Sequence, residues 1–436
     1  MVVTTTGFSL QALLTGKAGG IDDLRIAEYP GPLGIHSAEE IERHVDATLI
    51  PRIVEGLTGA AGGTAVAQTG ACDPRATVFS GSSEEINRHF IEKEWSDGLP
   101  VVAPTVERVE AFLAQCDRAA DEEIAIMPGA NLRVTPWTIA VNGVMAGCEP
   151  AHMPVLVAAA EALADERCKL ASIGSSSGIF PYVLVNGPIV QTLGIDSGAQ
   201  LVSRGPNPAL GRAVGLMVRN LGGFRPGATY MGTFGYPLAF AIAENEALSP
   251  WQPFHVDQGF GREDSVVTIG VTNNFGPAPA PYDTADKPGA QTAIELLSKE
   301  ITKKTRLFNF PGRGPKSEEV MITLLISPSV AKSLVDAGYT KESLRQAVYE
   351  HTTMRLGDFE WIFKYTTVTR MTLKQRVDEG VLPEEFLGRP DDIVRVLSSP
   401  DILHIVVCGD PHRNRIMVLE GGHTLPTSKK IRPSVA

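Results

Sequence analysis

The chain has 436 residues, 43% of them apolar and 20% charged, with 43 Gly and 31 Pro dispersed rather than repeated. That length and balance suit a globular protein of two or three domains, or one elaborate one, and exclude a disordered or fibrous chain. A net charge of −11 with no Lys/Arg cluster argues against a nucleic-acid or anionic-membrane surface.

The opening MVVTTTGFSLQALLTGKAGG lacks the charged start of a signal peptide, and no apolar run approaches a membrane span, so a cytoplasmic protein is expected. Residues 1–80 read as a separate lobe or arm. Ser37 and Glu40 make a capping box ahead of Ile41, Val45, Leu49 and Ile50, a helix ending near Gly56, and a short TAVAQTG strand follows. Such an arm wraps a neighbouring subunit or covers its own core, and a homo-oligomer is expected. Residues 81–197 form a first α/β half, in which Trp95–Thr105 is a turn and buried strand leading into a helix through Val106, Val109, Phe112 and Leu113.

Thr138–Gly143 is expected as a strand running through a Gly/Cys/His loop into a helix that starts at Met153, because Pro154 is tolerated only in a first turn. An internal resemblance then organises the chain. Thr138–Gly143 reads against Thr268–Asn273, and the strand from Tyr182 reads against the strand from Thr323. Between them each copy carries a helix, Pro154–Ala164 or Gln291–Lys303, and a Gly-rich loop. The expectation is an α/β fold with a duplicated unit about a pseudo-twofold, residues 264–350 being the second half and 198–263 an insertion with a helix to about Leu221. A helix capped by Thr340 runs to about Met354, and residues 351–436 are a C-terminal region with a helical stretch over Thr372–Leu397, a strand over Ile402–Val407 and a tail.

The seam between the halves is the expected pocket. Cys148 and His152 precede a helix N-terminus, where amides and the dipole lower a thiol's pKa and favour anions. Cys148 is therefore read as nucleophile and His152 as its acid/base, against the plainer reading of a buried thiol and a hydrogen-bonded loop histidine. Glu244, beside Glu246 after an apolar run, is read as a proton carrier, since paired carboxylates in apolar surroundings raise one pKa. Asn142, Ser175, Ser176, Ser177, Arg204, Asn207, Asn273, Asn274, Arg313 and Lys316 are the candidate groups that orient an anionic small molecule. Arg212 belongs to the same loop and helix start as Arg204. The run Gly174-Ser-Ser-Ser-Gly178 satisfies GxSxG, but a strand follows where a nucleophile elbow needs a helix.

Cys148-x3-His152 and Cys408-x3-His412 share a spacing that suits a transition metal such as Zn or Fe, with His255 or Glu244 as further ligands; five dispersed cysteines and nine histidines explain the coincidence equally well. The cysteines, which include Cys72, Cys116 and Cys168, form no CxxC and read as reduced thiols. No Walker A, GxGxxG or HExxH motif is present.

The combination Asp97-Gly-Leu-Pro-Val-Val-Ala-Pro-Thr105, Val141-Asn-Gly-Val-Met-Ala-Gly-Cys-Glu-Pro150 and Ala243-Glu-Asn-Glu246 resembles a bacterial family of largely uncharacterised proteins. Some of its relatives are associated with short cysteine- or selenocysteine-containing proteins bearing a UGSC motif. The resemblance covers roughly residues 94–418 and implies thiol-linked redox or carbon-sulfur chemistry. The family has a glycine-rich turn without cysteine near position 408, which argues against the paired metal site. The leading expectation is a thiol-dependent lyase or hydrolase acting on a small anionic or carbonyl-bearing molecule. A metal-dependent oxidoreductase or lyase is the second reading, and a non-catalytic ligand-binding or assembly protein the third.

Overall fold

The computed structural model describes all residues except 19, 22, 32, 34–35, 60–72, 74, 175–177, 236–238, 305–320, 366–371, 421–424 and 434–436. The fold is α/β. At the N-terminus β1 (Val2–Thr5) and β2 (Ile26–Tyr29) pair in parallel, joined by α1 (Ser9–Ala18), with α2 (Ala38–His44) and α3 (Ile50–Thr58) following. Ser37 and Glu40 form the expected reciprocal cap of α2. The TAVAQTG segment lies outside the described residues. The helices α4 (Ser83–Glu92) and α5 (Val106–Leu113) lead to a hairpin of β3 (Ala125–Met127) and β4 (Leu132–Val134).

The next element corrects the sequence reading. Residues expected as a strand from Thr138 form the middle of α6 (Pro136–Ala146). Pro136 occupies the first turn, Thr135 accepts the Thr138 N–H at its N-cap, and Gly147 ends the helix at φ 85°. The Cys148 N–H then bonds back to the Gly143 carbonyl and that of Gly147 to Val144, a Schellman closure. Helix ends thus outweigh the strand preference of Ile139 and Val141, and α6 is packed on several sides, so its apolar residues show no one-sided helical stripe. Helix α7 begins at Met153 as expected and ends at Ala164.

The core then takes shape from β5 (Phe180–Asn186), the one-turn α8 (Ile189–Thr192), α9 (Asn207–Asn220), β6 (Phe240–Ala243), the one-turn α10 (Phe254–Asp257) and β7 (Val266–Thr272). Strand β5 has β6 parallel on one side and β7 antiparallel on the other. Residues 198–263 supply the crossover helix α9 and β6, the parallel neighbour of β5. The pattern recurs after α11 (Gly289–Lys304). Strand β8 (Ile322–Ile326) is followed by α12 (Pro328–Asp336), α13 (Lys341–His351), β9 (Thr353–Arg355), α14 (Leu356–Tyr365), α15 (Leu373–Asp378) and β10 (Ile393–Arg395). It is then flanked by β11 (Leu403–Val407) in parallel and β12 (Ile416–Leu419) antiparallel. The correspondence of the strands at Tyr182 and Thr323 thus has a topological counterpart. That of Thr138 with Thr268 does not, since one is helix and the other strand. The helical region expected over 372–397 is a six-residue helix and a strand pairing with β9, broken by Gly380, Pro383 and Pro390. The expected tail contains β13 (Thr427–Lys430), which extends the first sheet beside β7.

Strand alternation sorts these side chains into three layers. Val183, Val185, Ala241, Val267 and Ile269 join the apolar cluster containing α6, α7 and α9, while Ile322, Leu324, Leu403, Ile405 and Ile416 face α11 and α13. Between the sheets lie Tyr182, Leu184, Ile242, Leu325, Val406 and Leu419. The Tyr182 hydroxyl is 2.6 Å from Thr323 Oγ1, tying one sheet to the other. Strands buried on both faces account for the nearly continuous apolar runs in the sequence.

Candidate functional site

The layer between the sheets turns polar where the parallel strands end. One residue beyond β6 is Glu244 and one beyond β11 is Cys408, and the two positions are equivalent. The Glu244 N–H bonds to Val185 O of β5, and the Cys408 N–H to Ile326 O of β8. Asn245 N–H crosses to Val407 O, joining the two strand ends. By alternation from Leu184, Ile242 and Val406, the side chains of Asn186, Glu244 and Cys408 point into the layer.

Glu244 is 1% exposed. Its Oε2 accepts Asn186 Nδ2–H at 2.6 Å and the Phe254 N–H at 2.7 Å. Burial pushes its pKa up to about 7, opposed by the Lys341 ammonium and by these two donors, and assisted by Glu246. Glu246 Oε1 accepts the Gly187 N–H at 2.7 Å and Asn186 Nδ2–H at 3.2 Å, and stands 3.7 Å from His255 Nδ1. Gly187 is required here, because at φ 88° an added Cβ would lie 2.1 Å from Asp264 O. Lys341, nearly buried, is held by Asp257 and by Gln252 O, both at 2.6 Å. Glu244 Oε1, Asn186 Oδ1 and His255 Nδ1 are buried without a hydrogen-bond partner among the described residues. Buried polar atoms are almost always paired in folded proteins, and here the Asn186 and Glu244 side chains that bond to each other each keep one oxygen unpaired among the described residues.

The Cys148 loop differs from its expectation. Cys148 packs in the apolar cluster around α6 and α7, and burial pushes its thiol up to about 12 rather than down. It belongs to the C-terminal closure of α6, so the activation expected ahead of a helix N-terminus is outweighed by desolvation. His152 is also buried; its Nδ1 accepts the Glu149 N–H at 3.0 Å, and desolvation lowers its pKa against the pull of Glu149. Cys408 is buried between the sheets with its thiol also raised, first by burial and then by Glu244, while His412 is exposed on the following turn. Among the described residues no three of His, Cys, Asp and Glu are grouped to hold a metal ion, so Cys148, His152 and His255 are not assembled as ligands.

Nor do the expected substrate groups converge. Asn142 lies inside α6, its Nδ2–H on Thr138 O and its Oδ1 accepting from Asn220. Asn207 spends its amide on the backbone of Asp196 and Leu201, bracing the start of α9. Arg204 faces solvent with Asp196 at 3.5 Å, and Arg212 forms a two-pronged pair with Asp97 at 2.9 and 3.0 Å. Asn273 and Asn274 follow β7 and bond to Glu420 O, at the end of the sheet opposite Glu244, since β7 runs against β5. Ser175, Ser176, Ser177, Arg313 and Lys316 lie outside the described residues. Among the described residues of the expected set, Glu244 alone sits in a polar cluster with a displaced pKa. The sequence reading missed Asn186, whose signal is a polar residue closing the apolar run Tyr182-Val-Leu-Val.

The fold and site define an α/β protein with a buried carboxyl at the joined ends of two parallel strand pairs. Comparison with family models, curated proteins and solved structures gives no match. Among the described residues no helix is long and apolar enough to cross a membrane.

Proposed function

We propose that the protein is an enzyme that moves a proton on a small anionic or carbonyl-bearing molecule, with Glu244 as the acid/base. The observation that carries this reading is a single carboxyl whose pKa is lifted to about 7, with one oxygen fixed by two donors and the other without a partner among the described residues. A group poised near neutrality exists in both forms at working pH, the condition for efficient general acid/base catalysis. Asn186 is the positioning residue that orients the carboxyl, and Glu246, partly exposed, accepts from the same Asn186 amide. Thiol catalysis at Cys148 has no support from its environment, because a thiol of pKa about 12 is scarcely ionised at neutral pH.

The reading is tested by solvent deuterium incorporation next to the carbonyl of a panel of 2-oxo and 3-oxo acids in D2O, followed by proton NMR. The wild type is expected to exchange at least one member, and Glu244→Gln to slow that exchange by a factor on the order of 100 or more. No exchange by the wild type across the panel, or equal exchange by the variant, removes Glu244 from catalysis. A binding protein without turnover remains the second reading, favoured by the near-complete burial of Glu244. It predicts that a panel member raises the melting temperature without exchange.

A further inference from the structure

The described residues of the N-terminal segment bury little of their own apolar surface. Among the described residues 1–59 the buried apolar side chains are Ala27 and Tyr29, and α3 buries none. Yet α3 is strongly amphipathic: Ile50, Val54 and Leu57 fall on one stripe by their spacing of four and three, and are 46%, 52% and 69% exposed. Met1 packs against Gly56 of the same helix, and of the exposed Val2 and Val3, which point to opposite faces of β1, one continues the apolar surface outward. The strands beneath form a two-stranded parallel sheet, an arrangement that ordinarily has both faces covered and more than two strands. Gln11 and Thr15 reach Ala228 O, so α1 touches the body while the α3 stripe is left to solvent.

We propose that this surface, Met1 to Val3 with the stripe Ile50, Val54 and Leu57, is the interface between two copies of the chain. Its apolar area, from these exposures, is roughly 450 Å² per copy, about the non-polar share of a standard interface of about 800 Å² per partner. A patch that carries its own stripe and an open strand edge is self-complementary about a twofold, the commonest symmetry of soluble oligomers. Charge disfavours a bilayer as the occupant. Residues 1–59 hold eight acidic side chains against four basic ones, whereas helices that lie on anionic membranes present Lys and Arg.

The test is the mass of the full chain by sedimentation equilibrium at micromolar concentration. The expected result is twice the chain mass of 46.6 kDa, falling to one chain in the double variant Val54→Glu with Leu57→Glu, and unchanged in Leu387→Glu, a control at an exposed leucine elsewhere. Because the double variant could unfold the lobe, Val54→Cys supplies a second reading: mild oxidation should link two copies through this residue, with the wild type as the control. A monomeric wild type, a dimer indifferent to the double variant, or no link through Val54→Cys overturns the proposal. Co-sedimentation of the monomer with phosphatidylserine vesicles overturns it in favour of a membrane.

Discussion

Protonation of Glu244 couples the stability of the fold to pH. Its carboxyl titrates at its ordinary 4.5 when the chain is unfolded and near 7 when buried in the native state. Between those values the native protein keeps a proton that the unfolded chain has released. Stability is therefore greatest below 4.5 and falls as pH rises through about 7, by on the order of 3 kcal/mol from this group. Glu244→Gln retains an oxygen for the Asn186 and Phe254 donors and cannot ionise. Urea unfolding at pH 5 and pH 8 should show a smaller loss in the variant than in the wild type, with the variant the more stable at pH 8. An unchanged pH slope assigns the titration elsewhere. The carboxyl was legible in the sequence because two glutamates follow an apolar run. Its partner Asn186 was not, since 58 residues separate them and only the parallel pairing of β5 with β6 brings them together.

At the scale of elements, α6 and its junction with α7 depend on two glycines for different reasons. Gly147 adopts φ 85° with nothing within 4 Å of an added Cβ, so Gly147→Ala should cost about 1 kcal/mol through backbone conformation alone. Gly143 is helical, but a Cβ there would meet Leu156 Cδ1 at 2.7 Å and Phe112 Cε1 at 2.9 Å. Gly143→Ala should therefore cost about 1–3 kcal/mol by forcing α5 and α7 away from α6. Chemical denaturation of both variants checks the order, and a Gly147→Ala more damaging than Gly143→Ala contradicts it. The same stretch shows why a strand was expected. Thr138, Ile139 and Val141 favour extended backbone, but Thr135-Pro136 at one end and Ala146-Gly147 at the other are start and stop signals for a helix. The capping box at Ser37 and the cap at Thr340 are legible because each needs only residues within one turn.

For the whole molecule, the strand β13 replaces β7 as one edge of the first sheet. β13 covers β7, and its lysines form ion pairs from Lys429 to Asp165 at 2.8 Å and from Lys430 to Asp264 at 2.5 Å. Truncation before Thr427 should uncover the apolar strand Val266–Thr272 and lower the melting temperature by about 5 °C or more, with aggregation on heating. Scanning calorimetry and light scattering read both effects, and a truncated chain as stable and soluble as the full one shows that β13 adds nothing. Nothing in Thr427-Ser-Lys-Lys430 announces a strand, because an edge strand with polar side chains carries no buried stripe.

The sequence by itself determined the α/β class, the helix starts at Ser37, Met153 and Thr340, the buried strands at Tyr182 and Ile402, and Glu244 as a carboxyl in an apolar setting. These depend on composition, period and capping, all of which act within a few residues. Only the tertiary structure decided that Cys148 lies in the core and that Glu244 meets Asn186 between two sheets. Burial and strand register set those outcomes, and both are properties of segments far apart in the chain that local pattern cannot encode.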